Sequence, residues 1–98
     1  MKTVLAIDLG ATSGRGILYS IKDGKLISKE VNRFKNSIHK VKGRFCWDID
    51  NLEKNIKKCI KDSQKQSELS SVGIDTWGVD FVFLDTNGEI IAQPVSYR

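Results

Sequence analysis

Residues 4 to 16 read V-L-A-I-D-L-G-A-T-S-G-R-G, and how this stretch is interpreted decides the fold. Val4, Leu5, Ala6 and Ile7 form a short unbroken apolar run, which suits a central strand buried on both faces. Asp8 ends the run. A carboxylate there adds nothing to packing but can hold a hydrated Mg2+ through oxygen. Gly10, Ala11, Thr12, Ser13 and Gly14 then form a loop of small residues, whose backbone can turn sharply and bring its N–H groups close to a phosphate. Thr12 and Ser13 add hydroxyl donors, and Arg15 adds a fixed positive charge. The same residues also fit a plain hairpin turn that only reverses the chain. No G-x-x-x-x-G-K-[ST] sequence occurs, so a P-loop is excluded.

Beyond this stretch, Ile17 to Ile21 reads as a second strand and Leu26 to Phe34 as a third, with Lys22-Asp23-Gly24-Lys25 as the hairpin turn between them. Residues 35 to 43 show neither helical nor strand period and read as a loop that includes His39, followed by a short edge strand at Arg44 to Trp47. Asp48 and Asp50 both suit a helix N-cap, and Asp50 with Glu53 has capping-box spacing. Ile49, Leu52, Ile56, Cys59 and Ile60 then mark one face of an amphipathic helix running to about Gln66. After a polar stretch at 67 to 70, Ser71 to Asp75 is a second apolar strand that ends in an acid. Phe81 to Asp85 and Ile90 to Tyr97 are expected to pair as strands about Asn87-Gly88, with Pro94 at an edge or bend. The order β-β-β-α-β plus a hairpin is how the ribonuclease H-like α/β fold begins. That fold needs further βα units, so residues 1–98 are expected to be an incomplete N-terminal portion.

Composition narrows the class. With 98 residues, 40% of them hydrophobic and a single proline, the chain can bury a core and does not read as disordered. It has no apolar run of about 20 residues to span a bilayer and no signal-peptide pattern, so a cytoplasmic address is expected. Cys46 and Cys59 fit neither a zinc site nor a redox pair and read as small buried hydrophobes. The net charge of +4 raises nucleic-acid binding, but Lys54, Lys57, Lys58, Lys61 and Lys65 fall at helical spacing and read as a solvated face. No nucleic-acid or membrane partner is expected.

The chemistry is expected on one rim. If the strand ending at Asp75 pairs parallel to the strand ending at Asp8, both acids lie where ligands bind, beyond the carboxyl ends of the strands. Trp77 follows directly and could stack on the apolar face of a sugar, while Asp80 could accept two hydroxyl hydrogen bonds. Equally, Trp77 could be a core aromatic and Asp80 a solvated turn acid.

The small-residue loop is similar to the first phosphate motif of the actin-like ATPase superfamily. A-I-D-L-G-A-T-S-G-R at 6 to 15, R-F-x-N then W-D at 33 to 48, G-I-D-T-W-G-V-D-F-V-F-L-D at 73 to 85 and P-V-S-Y-R at 94 to 98 together resemble the N-terminal part of FGGY carbohydrate kinases. D-T-W-G-V-D points within the family to the branch acting on L-rhamnulose, since other branches show a Gln-containing sequence there. The resemblance implies transfer of the ATP γ-phosphoryl group to the 1-hydroxyl of L-rhamnulose, with Mg2+. It implies that Asp8, Gly10, Ala11, Thr12, Ser13, Gly14 and Arg15 serve the nucleotide, that Asp8 lies near the metal, and that Gly78 contacts the sugar beside Trp77 and Asp80. It also implies a catalytic base in a later segment and a nucleotide pocket in a second lobe, so that residues 1–98 alone are expected to be inactive.

Two other readings stand beside this one. A ribonuclease H-like nuclease or resolvase would use Asp8 and Asp75 to hold two Mg2+, and it needs further carboxylates within reach. A non-catalytic assembly module would use the open edge of an incomplete sheet, and on that ground the isolated chain is expected to self-associate.

Overall fold

The computed structural model describes residues 2–97; Met1 and Arg98, which begin the first expected unit and end the last quoted motif, lie outside the described residues. Six strands and one helix follow in the order β1 (Thr3–Leu9), β2 (Ser13–Lys22), β3 (Lys25–Lys35), β4 (Ile38–Val41), β5 (Arg44–Trp47), α1 (Ile49–Gln64) and β6 (Leu69–Asp75). The main sheet has the order β3-β2-β1-β6, with β4 and β5 forming a separate two-stranded ribbon. β1 runs antiparallel to β2 and parallel to β6, so the crossover through α1 brings the two acid-ending strands side by side as expected.

β1 alternates strictly between buried and half-buried residues, because α1 covers one face of the sheet and nothing of comparable size covers the other. Leu5, Ile7, Leu9 and Leu18 meet Leu52 and Cys59 of the helix in the core, with Ile49, Ile56, Ile60 and Trp77 around them. The helix sits close to β2 because Gly16 has no side chain. A Cβ there would lie 3.0 Å from the Cys59 sulfur. Both cysteines are free and buried, as expected of small apolar residues.

α1 begins two residues before the Asp50 capping box would place it. Asp48 is the N-cap, accepting a hydrogen bond from the Asn51 amide at 3.0 Å. Glu53 instead pairs with Lys57 one turn along. Asp50 lies in the first turn and accepts from Gln93, whose side-chain oxygen in turn takes the Ile49 amide.

Four other expectations need correction. β1 continues through Asp8 to Leu9, and β2 begins at Ser13, so the connecting loop is only residues 10 to 12. Ser13, Gly14 and Arg15 belong to a strand because they pair with β3 as well as β1. Residues 38 to 41, expected as loop, form β4, and His39 therefore lies on a strand. Its turn has positive φ at Lys42 and Gly43, the two-residue geometry that matches strand twist, as Asp23 and Gly24 do between β2 and β3.

The last strand pair is reduced to a turn. Asp85 accepts from the Asn87 and Glu89 amides and Gly88 has φ 80°, but the flanks share only a bridge at Leu84 and Ile90. Phe81, Phe83 and Ile91 are exposed, so the ribbon has no apolar surface to rest on, and an isolated hairpin is marginal in water. Residues 94 to 96 instead lie along β5: Pro94 gives its carbonyl to the Trp47 amide, and Ser96 donates to Phe45. Finally, β6 starts at Leu69, two residues earlier than expected, with a register shift before Val4.

Candidate functional site

Sheet register builds the first half of the site. Asp8 lies opposite Arg15 on one neighbouring strand and opposite Asp75 on the other, on the face away from α1. The Arg15 guanidinium donates to the Asp8 carboxylate at 3.3 Å through both Nε and an Nη. Asp75 hydrogen-bonds to Asp8, and this together with Arg15 holds the Asp8 carboxyl below the ordinary carboxylate range. The same hydrogen bond, with burial and the repulsion of the Asp8 charge, pushes Asp75 above it. Facing each other thus pushes the two carboxyls in opposite directions from the ordinary value.

Gly10, Ala11 and Thr12 make the turn above this pair. The Gly10 amide bonds to the Ser13 carbonyl at 2.9 Å. Asn36, which is buried, fastens the turn from the side: its amide bonds to the Thr12 carbonyl and its Nδ2 to the Gly10 carbonyl, both at 2.9 Å. Its Oδ1 is buried and takes no donor from the protein. Gly14 lies below the loop, where a Cβ would fall 2.3 Å from the Phe34 ring, so its small size serves strand packing.

Residues 76 to 80 build the second half. Asp80 accepts hydrogen bonds from the Trp77 indole at 2.9 Å, from the Trp47 indole, and from the Tyr97 amide at 3.0 Å. The two indoles lie with ring centroids 4.5 Å apart. Asp80 is therefore the anchor of an aromatic pair rather than a solvated turn acid, and Trp77 both packs on the core and forms a wall. Trp47 is the member that sequence reasoning missed. Its signals were a place in the W-D pair of the family resemblance and a large aromatic before an N-cap aspartate, and neither assigns it to a site, since a short edge strand explains the aromatic equally well. Gly78 is exposed and has nothing within contact distance of a Cβ position.

The two halves meet across a cleft of about 390 Å³ lined by Asp8, Gly10, Ala11, Asp75 and Trp77 and closed at the far side by Asp80 and Tyr97. Of the residues assigned to nucleotide or sugar, Asp8, Gly10, Ala11, Trp77 and Asp80 line this cleft, whereas Thr12, Ser13, Gly14, Arg15 and Gly78 are not among its lining residues. Among the described residues no third acid, histidine or cysteine joins Asp8 and Asp75, so the carboxylate cluster of a two-metal nuclease is not formed.

A sequence profile described as the FGGY family of carbohydrate kinases, N-terminal domain, matches residues 3–98. Rhamnulokinase from Yersinia pestis (strain Pestoides F) is 51% identical over 100 residues, covering 97% of this chain and 20% of that protein. Rhamnulokinase from Klebsiella pneumoniae (strain 342) is 47% identical over 97 residues, with 96% and 20% covered. Rhamnulokinase from Bacteroides thetaiotaomicron is 49% identical over 94 residues, with 95% and 19% covered. The chain spans about one-fifth of the length of these curated relatives.

Among solved structures, gluconate kinase from Lactobacillus acidophilus matches with a TM-score of 0.77 at 17% identity, covering 97% of this chain and 19% of that one. The ligand-bound xylulose kinase from the same organism matches with a TM-score of 0.71 at 18% identity, covering 98% and 20%. These likenesses show the fold, that of sugar kinases with the actin-like ATPase architecture. With its profile match over nearly every residue, the chain belongs to the FGGY family of carbohydrate kinases.

Proposed function

We propose that residues 1–98 supply the first phosphate-binding turn and one wall of the sugar pocket to an ATP-dependent kinase of L-rhamnulose, which is phosphorylated at its 1-hydroxyl. The observation that carries this is the single cleft shared by the Asp8 turn and the Asp80-anchored tryptophans. Phosphoryl transfer is catalysed by positioning and charge neutralisation, so a phosphate loop and a sugar wall on one rim suit it. The rhamnulokinase relatives support the choice of sugar.

In this reading the residue 10 to 12 turn and Ser13 approach the phosphates, with Arg15 beneath them. Trp77 presents an indole face to the sugar, Gly78 leaves room for it, and Asp80 holds the indole in place. Its carboxylate already accepts three donors, so a sugar hydroxyl would share an oxygen with one of them.

Asp8 and Asp75 fit Mg2+, because two facing carboxylates offer oxygen ligands and a divalent cation would offset the repulsion that pushes Asp75 upward. Bound there, the ion would offset phosphate charge. The catalytic base and the nucleotide's base pocket are assigned to polypeptide outside residues 1–98, and the isolated chain is expected to be silent in phosphoryl transfer.

The test is ketose-dependent ADP release by the protein that carries residues 1–98, with L-rhamnulose compared with D-xylulose and glycerol. L-Rhamnulose should give the largest kcat/KM. Asp80→Ala should raise KM for the ketose far more than for ATP, and Arg15→Ala should do the reverse. Equal effects on both substrates would undo the division of roles, and a preference for glycerol or D-xylulose would undo the choice of sugar.

A further inference from the structure

The turn between β1 and β2 makes only half of the closure expected of it. A two-residue hairpin loop is commonly flanked by a residue pair that exchanges two backbone bonds. Here the Gly10 amide bonds to the Ser13 carbonyl at 2.9 Å, but among the described residues the Ser13 amide does not return the bond to the Gly10 carbonyl. Asn36 takes that carbonyl instead, through Nδ2 at 2.9 Å. Its own backbone amide holds the Thr12 carbonyl, also at 2.9 Å, so one residue grips the turn at two points.

Asn36 holds this position at a cost. It lies just past the end of β3 and is 3% exposed. With Nδ2 committed to Gly10, its Oδ1 is buried and receives no donor from the described residues. An unpaired buried acceptor disfavours the fold, and a leucine of similar shape would fill the space without it. The side chain is therefore explained by its donor rather than by packing. Neither the grip nor the burial of Asn36 depends on polypeptide outside residues 1–98.

Peptide geometry carries the grip to the cleft. In a planar trans peptide the N–H points opposite to the C=O. With the Gly10 carbonyl held by Asn36, the Ala11 N–H points to the other side, where among the described residues it meets no acceptor. Ala11 lines the cleft beside Asp8, and Asn36 does not. We infer that Asn36 is a positioning residue for the nucleotide: it keeps the Gly10 carbonyl out of the turn's closing bond and so aims the free Ala11 amide at a phosphate oxygen. This rests on the reading of the 10 to 12 turn as a phosphate site. A donor preset in this way meets a charged oxygen without reorganising when ATP arrives.

The test uses the full-length protein that carries residues 1–98. Asn36→Leu keeps the size of the side chain and removes the Nδ2 donor. KM for ATP should rise about tenfold, the worth of one hydrogen bond to a charged group, while KM for L-rhamnulose stays within about twofold. A merely structural role would lower the urea midpoint and kcat but leave the ratio of the two KM values where it was. That outcome, or an unchanged KM for ATP, would overturn the inference and leave the function reading intact. A wild type that phosphorylates none of L-rhamnulose, D-xylulose and glycerol would overturn both. Should Asn36→Leu fail to fold, hydrogen exchange on the wild type decides. MgATP must slow exchange at the Ala11 amide, and exchange there that ATP leaves unchanged would sink the assignment.

Discussion

Asp80 accepts from two indoles and a backbone amide, so its carboxylate organises residues from three parts of the chain: Trp47, Trp77 and Tyr97. Hydrogen bonds to a charged acceptor contribute more than neutral ones, and removing the acceptor leaves the buried Trp47 indole and the half-buried Trp77 indole without it. Asp80→Ala should therefore lower stability by about 1–3 kcal/mol and shift tryptophan emission to longer wavelength. A variant with wild-type emission and an unchanged urea midpoint would show that the indoles hold their places without it.

The Asp8 and Asp75 pair makes a prediction about pH. Asp75 has a folded pKa above the ordinary value of 3.8, so its contribution is full below that value and is lost as pH rises through the raised one. Asp8 lies below 3.8, so its contribution is present above that value and lost as pH falls through the lowered one. Above 3.8 the pair as a whole therefore weakens the fold as Asp75 ionises. Asp75→Asn keeps a donor toward Asp8 and removes the second charge. The wild-type urea midpoint should fall relative to that of Asp75→Asn as pH rises above 3.8 through the raised value of Asp75. Parallel profiles for the two proteins would refute the repulsion of Asp75 by Asp8.

At the scale of elements, the sequence was most legible where one local signal sufficed. The apolar run at 4 to 7, Asp23-Gly24 and the helical spacing of Leu52, Ile56, Cys59 and Ile60 each specified an element that is present. β4 was not legible, because Ile38-His39-Lys40-Val41 scarcely alternates and is held by its partner β5. The Phe81 and Ile90 strands failed for the opposite reason. Their local signal is strong, but hairpin propensity without a surface to cover does not make a ladder. Gly14 read as freedom for a loop, whereas the structure uses it for close packing under Phe34, and Gly16 packs in the same way under Cys59.

That packing is testable at Gly16. Gly16→Ala puts a methyl 3.0 Å from the Cys59 sulfur, and overpacking of this kind costs about 1–3 kcal/mol. Cys59→Ala removes the sulfur. Combined with Gly16→Ala, it should cost less than the sum of the single changes, measured by denaturant unfolding, because the new methyl fills part of the space. Strict additivity would mean that the helix shifts as a body rather than meeting the strand at this point.

For the molecule as a whole, two regions hold together very differently. The helix-covered sheet has a continuous core, with Leu5, Ile7 and Cys59 almost wholly buried. Residues 81 to 91 carry exposed Phe81, Phe83, Leu84 and Ile91 and are stitched mainly by the Asp85 turn and one Phe83 to Ile91 backbone bond. The radius of gyration is 15.7 Å, against about 12.6 Å for a compact domain of this length. The segment is anchored at both ends, by Asp80 to the tryptophans and by Gln93 to the start of α1. Local opening is easiest where few buried contacts must break, so residues 81 to 91 should open without disturbing the core. Thermolysin, which cuts beside large apolar residues, should therefore cleave first within 81 to 91. The two pieces should stay associated under native conditions through the Pro94 and Ser96 bonds to β5. First cleavage within β1, β2 or α1 would instead show that the covered sheet is the weaker part, and would reverse this ranking of the two regions.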